Sequence, residues 1–366
     1  MPLPLFWLRS NVNRFLVTGG AGFIGSCFVR QLLRTPETQV IVLDKLTYAG
    51  HLENLAEVRE HPGFHFCRGD IADESLTRQL LAEHLPQAVI NFAAESHVDR
   101  SIDDPLSFVS TNVVGTCRLL EACLAYFRTQ PVSLQPTFRF LQVSTDEVFG
   151  ALGATGRFDS ASPYAPNSPY AASKAAADHF VRAYHRTYRL PTLVTHCGNN
   201  YGPYQFPEKL IPLIILRAVA GQTLPVYGNG AQVRDWIHVA DHCAGLQAVL
   251  ERGIPGQSYS FGADGERSNL EVVTAICRIL DRIAPPADRV PRESRITLVA
   301  DRPGHDFRYA IDATETSRQL GWQPTRDFTA GLEETVHWYL THDDWVERVR
   351  AAAYDERRIG LRDAGE

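Results

Sequence analysis

The stretch Arg14-Phe-Leu-Val-Thr-Gly-Gly-Ala-Gly-Phe-Ile-Gly25 limits what this chain can fold into more than any other. It reads as a strand that runs into a glycine-rich turn and then a helix. Glycines at 19, 22 and 25 let the backbone turn tightly and approach a pyrophosphate, which rests on the helix N-terminus. Val40-Ile-Val-Leu-Asp44 is the next strand, and its terminal acid stands 19 residues beyond Gly25. A carboxylate there suits the hydroxyls of an adenosine ribose and repels a 2′-phosphate, so the cofactor expected is NAD rather than NADP. The fold expected is α/β: a Rossmann-like, doubly wound parallel sheet with a smaller α/β C-terminal substrate domain.

Two further strands follow. Phe64-His-Phe-Cys-Arg-Gly-Asp70-Ile71 ends in an acid that either meets an adenine amino group or closes a turn. Ala88-Val-Ile-Asn-Phe-Ala-Ala-Glu-Ser-His97 has small residues at its end, which let a cofactor's phosphates and ribose lie close. Asp104-Pro105 marks a helix start, and the amphipathic run after it reaches about Phe127.

A second concentration of chemistry lies between Val143 and Lys174. Phe138–Val143 reads as a short buried strand, so Ser144-Thr145-Asp146-Glu147 sit at its carboxyl end, where open parallel sheets bind ligands. After a loop rich in Pro, Ser and Ala comes Tyr170-Ala-Ala-Ser-Lys174 at the start of a helix, with both side chains on one face. A hydroxyl, two adjacent carboxyls, a phenol and an ammonium group suffice for proton transfer to and from a sugar-like substrate. A Tyr-x-x-x-Lys alone fits many amphipathic helices, and an Asp-Glu pair fits many turns. Their order after a dinucleotide fingerprint is what gives them weight.

The same helix carries Phe180, Val181, Tyr184 and Tyr188 at helical spacing, a stripe for the core or for a second subunit. Leu193–Cys197 is a further strand. Gly198-Asn-Asn-Tyr-Gly-Pro-Tyr-Gln-Phe-Pro-Glu-Lys209 is a long polar segment of the kind that is often functional. Leu210–Ala220 reads as helical and Leu224–Tyr227 as extended. Arg234-Asp235-Trp236 leads into a strand and then a helix from about Ala240, and Asn269 begins another. His238 and His242 are four apart but lack a third ligand nearby, so they read as buried, hydrogen-bonded histidines and no metal is expected. Asp301-Arg-Pro-Gly-His-Asp-Phe-Arg308 is either a solvated loop or a turn whose arginine grips a diphosphate.

Composition narrows the class. A chain of 366 residues allows about two domains, and 44% hydrophobic with 21% charged residues fits a soluble globular protein. The net charge of −6 offers no basic footprint for nucleic acid. Seven scattered cysteines without a Cys-x-x-Cys fit reduced thiols in the cytoplasm. No apolar run approaches about 18 residues, so no transmembrane helix is expected. Residues 1–13 and 351–366 read as terminal extensions, the first too short and uncharged at its start for a signal peptide.

With these segments in hand, the chain resembles the extended short-chain dehydrogenase/reductase superfamily and, within it, the dTDP-glucose 4,6-dehydratase family. The resemblance covers residues 14 to about 340. It rests on the glycine motif, Leu-Asp-Lys-Leu-Thr-Tyr-Ala-Gly (43–50), Ala-Ala-Glu-Ser-His-Val-Asp-Arg-Ser (93–101), Ser-Thr-Asp-Glu-Val (144–148), Tyr-x-x-x-Lys, residues 199–212, and Asp-Arg-Pro-Gly-His-Asp (301–306). Phe149 departs from the Tyr usual after Glu-Val. The resemblance implies a NAD-binding domain (14–197 with 235–260), a nucleotide-sugar-binding domain (198–234 with 261–345), and a homodimer paired through helices at about 104–127 and 170–188.

It also implies site residues. NAD is to be held by Gly19, Gly22, Phe23, Ile24 and Gly25; by Asp44, Lys45, Leu46 and Thr47; by Asp70 and Ile71; by Phe92, Ala93, Ala94 and Ser96; and by Thr111, Tyr170, Lys174 and Asn200. A dTDP-glucose substrate is to meet Ser96, His97, Thr145, Asn199, Lys209, Leu210, Pro225, Tyr227, Arg234, Asn269, Arg302 and His305, with Arg234 and Arg302 on its diphosphate. Tyr170, as phenolate, takes the 4-hydroxyl proton while hydride leaves C4 for NAD⁺. Lys174 lowers the phenol pKa and holds the nicotinamide ribose. Glu147 removes the C5 proton, Asp146 protonates the departing 6-hydroxyl, Thr145 hydrogen-bonds the 4-oxygen, and hydride returns to C6. A 4-epimerase or decarboxylase of the same superfamily needs the tyrosine but not the acid/base pair. A silent NAD-binding regulator needs neither.

Overall fold

The computed structural model describes residues 13–353; of the extensions expected at 1–13 and 351–366, Asn13 instead opens the first strand and residues 351–353 end the helix Asp343–Ala353, while the rest lie outside the described residues. Seven strands form one sheet: β1 (Asn13–Thr18), β2 (Thr38–Asp44), β3 (Phe64–Arg68), β4 (Ala88–Asn91), β5 (Arg139–Val143), β6 (Thr192–Cys197) and a late strand, Ser258–Phe261. Every pairing is parallel, and the order β3-β2-β1-β4-β5-β6 ends on Ser258–Phe261. The strand order reverses between β1 and β4, which opens a crevice at their carboxyl ends.

Both faces of the sheet are buried, which is why the strands read as continuous apolar runs rather than alternating ones. Leu16, Ile41, Leu43, Val89, Phe140 and Val194 pack one way, against helices Glu74–His84, Thr116–Thr129 and Pro169–Tyr188. Val17, Val40, Val42, Ile90, Leu141 and Leu193 pack the other way, against helices Phe23–Leu32 and Val239–Arg252. Adjacent residues thus serve opposite faces, as strand geometry requires.

Three short strands, β7 (Asn199–Tyr201), β8 (Leu224–Tyr227) and β9 (Val233–His238), lead into a smaller layer beside the crevice. β9 lies between β7 and Glu266–Ser268, while β8 pairs with Ile296–Val299. β9 therefore spans the join between the expected segments 198–234 and 235–260. Its core gathers Tyr201, Ile211, Ile214, Trp236, Val273, Ile276, Leu332 and Trp345.

Local chemistry fixes the helices that matter for the site. Ser168 caps Pro169–Tyr188 by accepting from Ala171 N at 3.1 Å, with Pro169 preset for the first turn, so Tyr170 and Lys174 are placed from a fixed start. The expected single helix at 104–127 is three pieces: α-helix Pro105–Phe108, a π-helical stretch Val109–Gly115, and α-helix Thr116–Thr129. The widened turn directs Asn112 inward, where its amide bonds both backbone groups of Glu95 and the Ser173 hydroxyl. Of the stripe on the later helix, Val181 and Tyr184 are buried and Phe180 and Tyr188 exposed. Among the described residues no helix is long and apolar enough to cross a membrane.

Candidate active site

The loops that leave the strand ends enclose one cavity. Its walls include Gly22 after β1, Asp44 after β2, Asp70 after β3, Phe92–Ser96 after β4, Ser144–Glu147 after β5, and Cys197–Asn200 after β6. Tyr170, Lys174 and Lys209 close it from the helix and loop side.

The glycine turn is tight for two separate reasons. Gly19 has φ +67°, and a Cβ on it would lie 2.5 Å from Ala93 N. A Cβ on Gly25 would lie 2.3 Å from Gly19 O, so the first helix could not seat against the turn. Around Gly22 only Gly19 O, at 3.3 Å, would meet an added Cβ, which leaves its backbone open for close approach by a ligand. Asp44 is buried and ties the edge together, accepting from Ala21 N (3.0 Å) and Leu46 N (2.8 Å). Burial raises its pKa, and those two bonds oppose the rise. Lys45 spans the cavity mouth, 3.4 Å from Asp70 and donating to Thr111 at 3.1 Å. The open glycine turn, the buried acid at the end of β2 and the small residues after β4 fit an adenine dinucleotide.

Thr145 caps the 3-10 turn Asp146–Phe149, its hydroxyl accepting from Glu147 N at 3.2 Å. Asp146 is wholly buried, and its Oδ2 has no hydrogen-bond partner. Burial first, then the Glu147 charge, push the Asp146 carboxyl well above its ordinary value. Burial also raises Glu147, but Arg302, Arg234 and Lys209 pull it back. The Tyr170 ring packs edge-on against Phe108, with centroids 6.2 Å apart.

Tyr170 is buried in the same site. Burial and the Glu147 charge hold its phenol well above the ordinary value, partly offset by a hydrogen bond with Thr145. The Lys174 ammonium donates to the Val143 carbonyl at 2.8 Å, and burial lowers its own pKa.

Nine anticipated residues stand outside the cavity wall. Leu46, with φ +56°, packs on the core beside the sheet. His97 is buried, 3.9 Å from Glu208, and its pKa is driven down by burial. Leu210 and Asn269 begin helices, and Pro225 lies in β8. Arg302 donates to Asp99 at 2.6 Å, and Tyr227 donates to the other oxygen of Asp99 at 3.1 Å. His305 pairs with Asp301 at 2.6 Å. Arg234 donates to the carbonyls of Val233 (2.8 Å) and Asp306 (3.0 Å), and its guanidinium lies 4.4 Å from the Tyr309 ring centre. Arg234 and Arg302 form a cationic flank beside Glu147.

Sequence reasoning passed over Glu95, Cys197, Phe206 and Glu208, which all line the cavity. Glu95 and Glu208 stood inside quoted motifs, where their charge was the available signal. Glu208 is nearly buried, 3.2 Å from Arg100, whose guanidinium covers the Tyr48 ring at 3.9 Å. Of the two spaced histidines, His242 bonds Asn200 at 2.9 Å and His238 caps its helix through Ala240 N.

The chain is similar to known proteins. Residues 16–335 match the family described as GDP-mannose 4,6 dehydratase. The dTDP-glucose 4,6-dehydratase of Xanthomonas campestris pv. campestris (strain B100) is 56% identical, over 94% of this chain and 98% of its own. DesIV of Streptomyces venezuelae, a dTDP-glucose 4,6-dehydratase solved with NAD bound, is 46% identical with a TM-score of 0.83, covering 92% of this chain and 99% of its own. The dTDP-glucose 4,6-dehydratase of Bacillus anthracis str. Ames, in complex with NAD, is 44% identical with a TM-score of 0.82, covering 92% and 100%.

Proposed function

Because the chain belongs to the GDP-mannose 4,6 dehydratase family, within the extended short-chain dehydrogenase/reductases, we infer that it converts dTDP-glucose to the 4-keto-6-deoxy sugar, with NAD as its bound cofactor. One observation supports dehydration over epimerisation: two consecutive buried carboxyls, Asp146 and Glu147, stand at the end of β5 in unlike surroundings. Epimerisation has no leaving hydroxyl to protonate.

Bound NAD supplies the acceptor for the hydride of C4 and returns it at C6. Tyr170, once ionised with Lys174 as the nearby cation, takes the 4-hydroxyl proton as phenolate, and Thr145 bonds the same oxygen. The 4-ketone then acidifies the C5 proton. Glu147, whose anion Arg302, Arg234 and Lys209 favour, removes it. Asp146, held protonated by burial and by Glu147, gives its proton to the departing 6-oxygen. Arg234 and Arg302 grip the diphosphate, with Asn199, Lys209, Asn269 and His305 beside it.

Incubation with the thymidine, uridine, cytidine and guanosine diphosphate glucoses side by side tests this reading. The alkaline ultraviolet absorbance of a 4-keto-6-deoxy sugar should appear most strongly with dTDP-glucose. Its absence with all four would refute it.

We place the enzyme in the cytoplasm, in keeping with seven free cysteines, five of them buried. It acts as a homodimer. The exposed apolar side chains Leu106, Val109 and Val114 on one helix run, and Phe180 and Tyr188 on the helix Pro169–Tyr188, support this assembly.

A further inference from the structure

Behind the Ser144–Glu147 turn lies a polar group that no step above uses. Asp178 is wholly buried on helix Pro169–Tyr188, one turn after Lys174. Its Oδ2 accepts from the Ser144 hydroxyl at 2.6 Å and the Tyr164 hydroxyl at 3.1 Å. His196 Nε2, on β6, lies 2.8 Å from Tyr164 Oη and 3.4 Å from Asp178. If His196 donates to Tyr164 and Tyr164 to Asp178, Oδ2 of Asp178 only accepts, while Asp178 Oδ1 and His196 Nδ1 are buried without a partner. Phe149, the departure from the usual tyrosine, packs on the His196 ring with centroids 4.7 Å apart.

Cations packed near a buried carboxyl lower the cost of its charge. His179 and Arg182 face Tyr164, with ring centres 5.0 Å apart and the guanidinium 5.4 Å from the ring centre. Helical spacing puts two cations on Asp178's own face, Lys174 four residues earlier and Arg182 four residues later, and of these Lys174 is the one that lines the cavity. Cys197, on β6, is the other titratable group facing that ammonium, and Asp178 favours its charged form against burial.

We propose that Asp178 is a positioning residue for the dehydration: through the Ser144 hydroxyl it pins the turn that carries Asp146 and Glu147, and its charge backs the Lys174 ammonium one helical turn away. The two roles are separable. Asp178→Asn keeps the shape and removes the charge. Ser144→Ala cuts the tie to the turn and keeps the charge.

This proposal rests on the dehydratase reading for its kinetics, so retention of bound NAD against pH is measured as well, without substrate. In Asp178→Asn, Lys174 should lose its proton at lower pH. The alkaline limbs of kcat and of NAD retention should then both move to lower pH than in the parent, with kcat at neutral pH down about tenfold. Ser144→Ala should lower kcat with the alkaline limb unmoved, and Asp178→Glu should restore the limb. Limbs at the parent position in Asp178→Asn would overturn the charge role. Parental kcat in Ser144→Ala would overturn the pinning role, even if Asp178→Asn fails to fold. A parent protein inert toward dTDP-glucose would defeat the dehydratase reading, while the NAD-retention curves would still decide the charge role.

Discussion

Asp146 and Glu147 are neighbours on one 3-10 turn, yet they stand in different fields: burial raises both carboxyls, the Glu147 charge adds to the rise at Asp146, and three cations oppose it at Glu147. On the proposed mechanism, that difference suits Asp146 as the acid and Glu147 as the base. Asp146→Asn keeps the shape but has no proton to give. It should still oxidise C4, and NADH absorbance should accumulate when substrate is added. Glu147→Gln should do likewise and also lose exchange of the C5 hydrogen with deuterated solvent. Product formation should fall about 10²–10⁴-fold in each. Single-turnover absorbance checks this, and parental product formation by Asp146→Asn would remove the acid assignment.

Arg302 is engaged with Asp99 across 203 residues of sequence, so its loss has two effects. Arg302→Ala should raise KM for dTDP-glucose more than tenfold with bound NAD retained. It should also lower Tm, because the Asp99 carboxylate stays buried without its partner. Adding Asp99→Asn should recover Tm but not KM. Parallel loss of NAD and substrate binding would mark the arginine as merely structural.

His242 and His238 predict how the fold responds to acid. Burial lowers His242 to about 3 and His238 to about 4, against 6.5 unperturbed. Between those values and 6.5 the unfolded chain binds protons that the folded chain refuses. Their stabilisation is therefore complete above pH 6.5 and is lost as pH falls toward the folded values. For His242 the loss from pH 6.5 to 5 is about 2 kcal/mol. His242→Asn should flatten the fall of Tm over that range, whatever its Tm at neutral pH. An unchanged slope would contradict it.

The exposed apolar side chains Leu106, Val109, Val114, Phe180 and Tyr188 predict a dimer at micromolar concentration. Sedimentation of the parent should give twice the chain mass, and Leu106→Glu with Phe180→Glu should shift it toward the monomer. A monomeric parent would exclude the assembly.

Much of this site was legible in sequence because its chemistry is local. The glycine turn, the acids ending β2 and β3, and Thr145–Glu147 each follow a strand within a few residues, and Tyr170 with Lys174 needs only helical spacing. What escaped was long-range or conformational. Helical periodicity carries no mark of the extra residue that turns Val109–Gly115 into a π-helix and Asn112 inward. Asp178, Tyr164, His196 and Ser144 meet only because the helix packs on β5 and β6. The partner of Lys174, the Val143 carbonyl, is a backbone group that residue identities do not disclose.

Elimination across C5 and C6 leaves an isotopic signature in the product. The protein is incubated with dTDP-glucose in deuterated water, and the product is analysed by nuclear magnetic resonance and mass spectrometry. The account predicts a 4-keto-6-deoxy sugar with solvent deuterium at C5 and the former C4 hydrogen at C6. A hexose inverted at C4, with its 6-hydroxyl intact and no deuterium at C5, would contradict it.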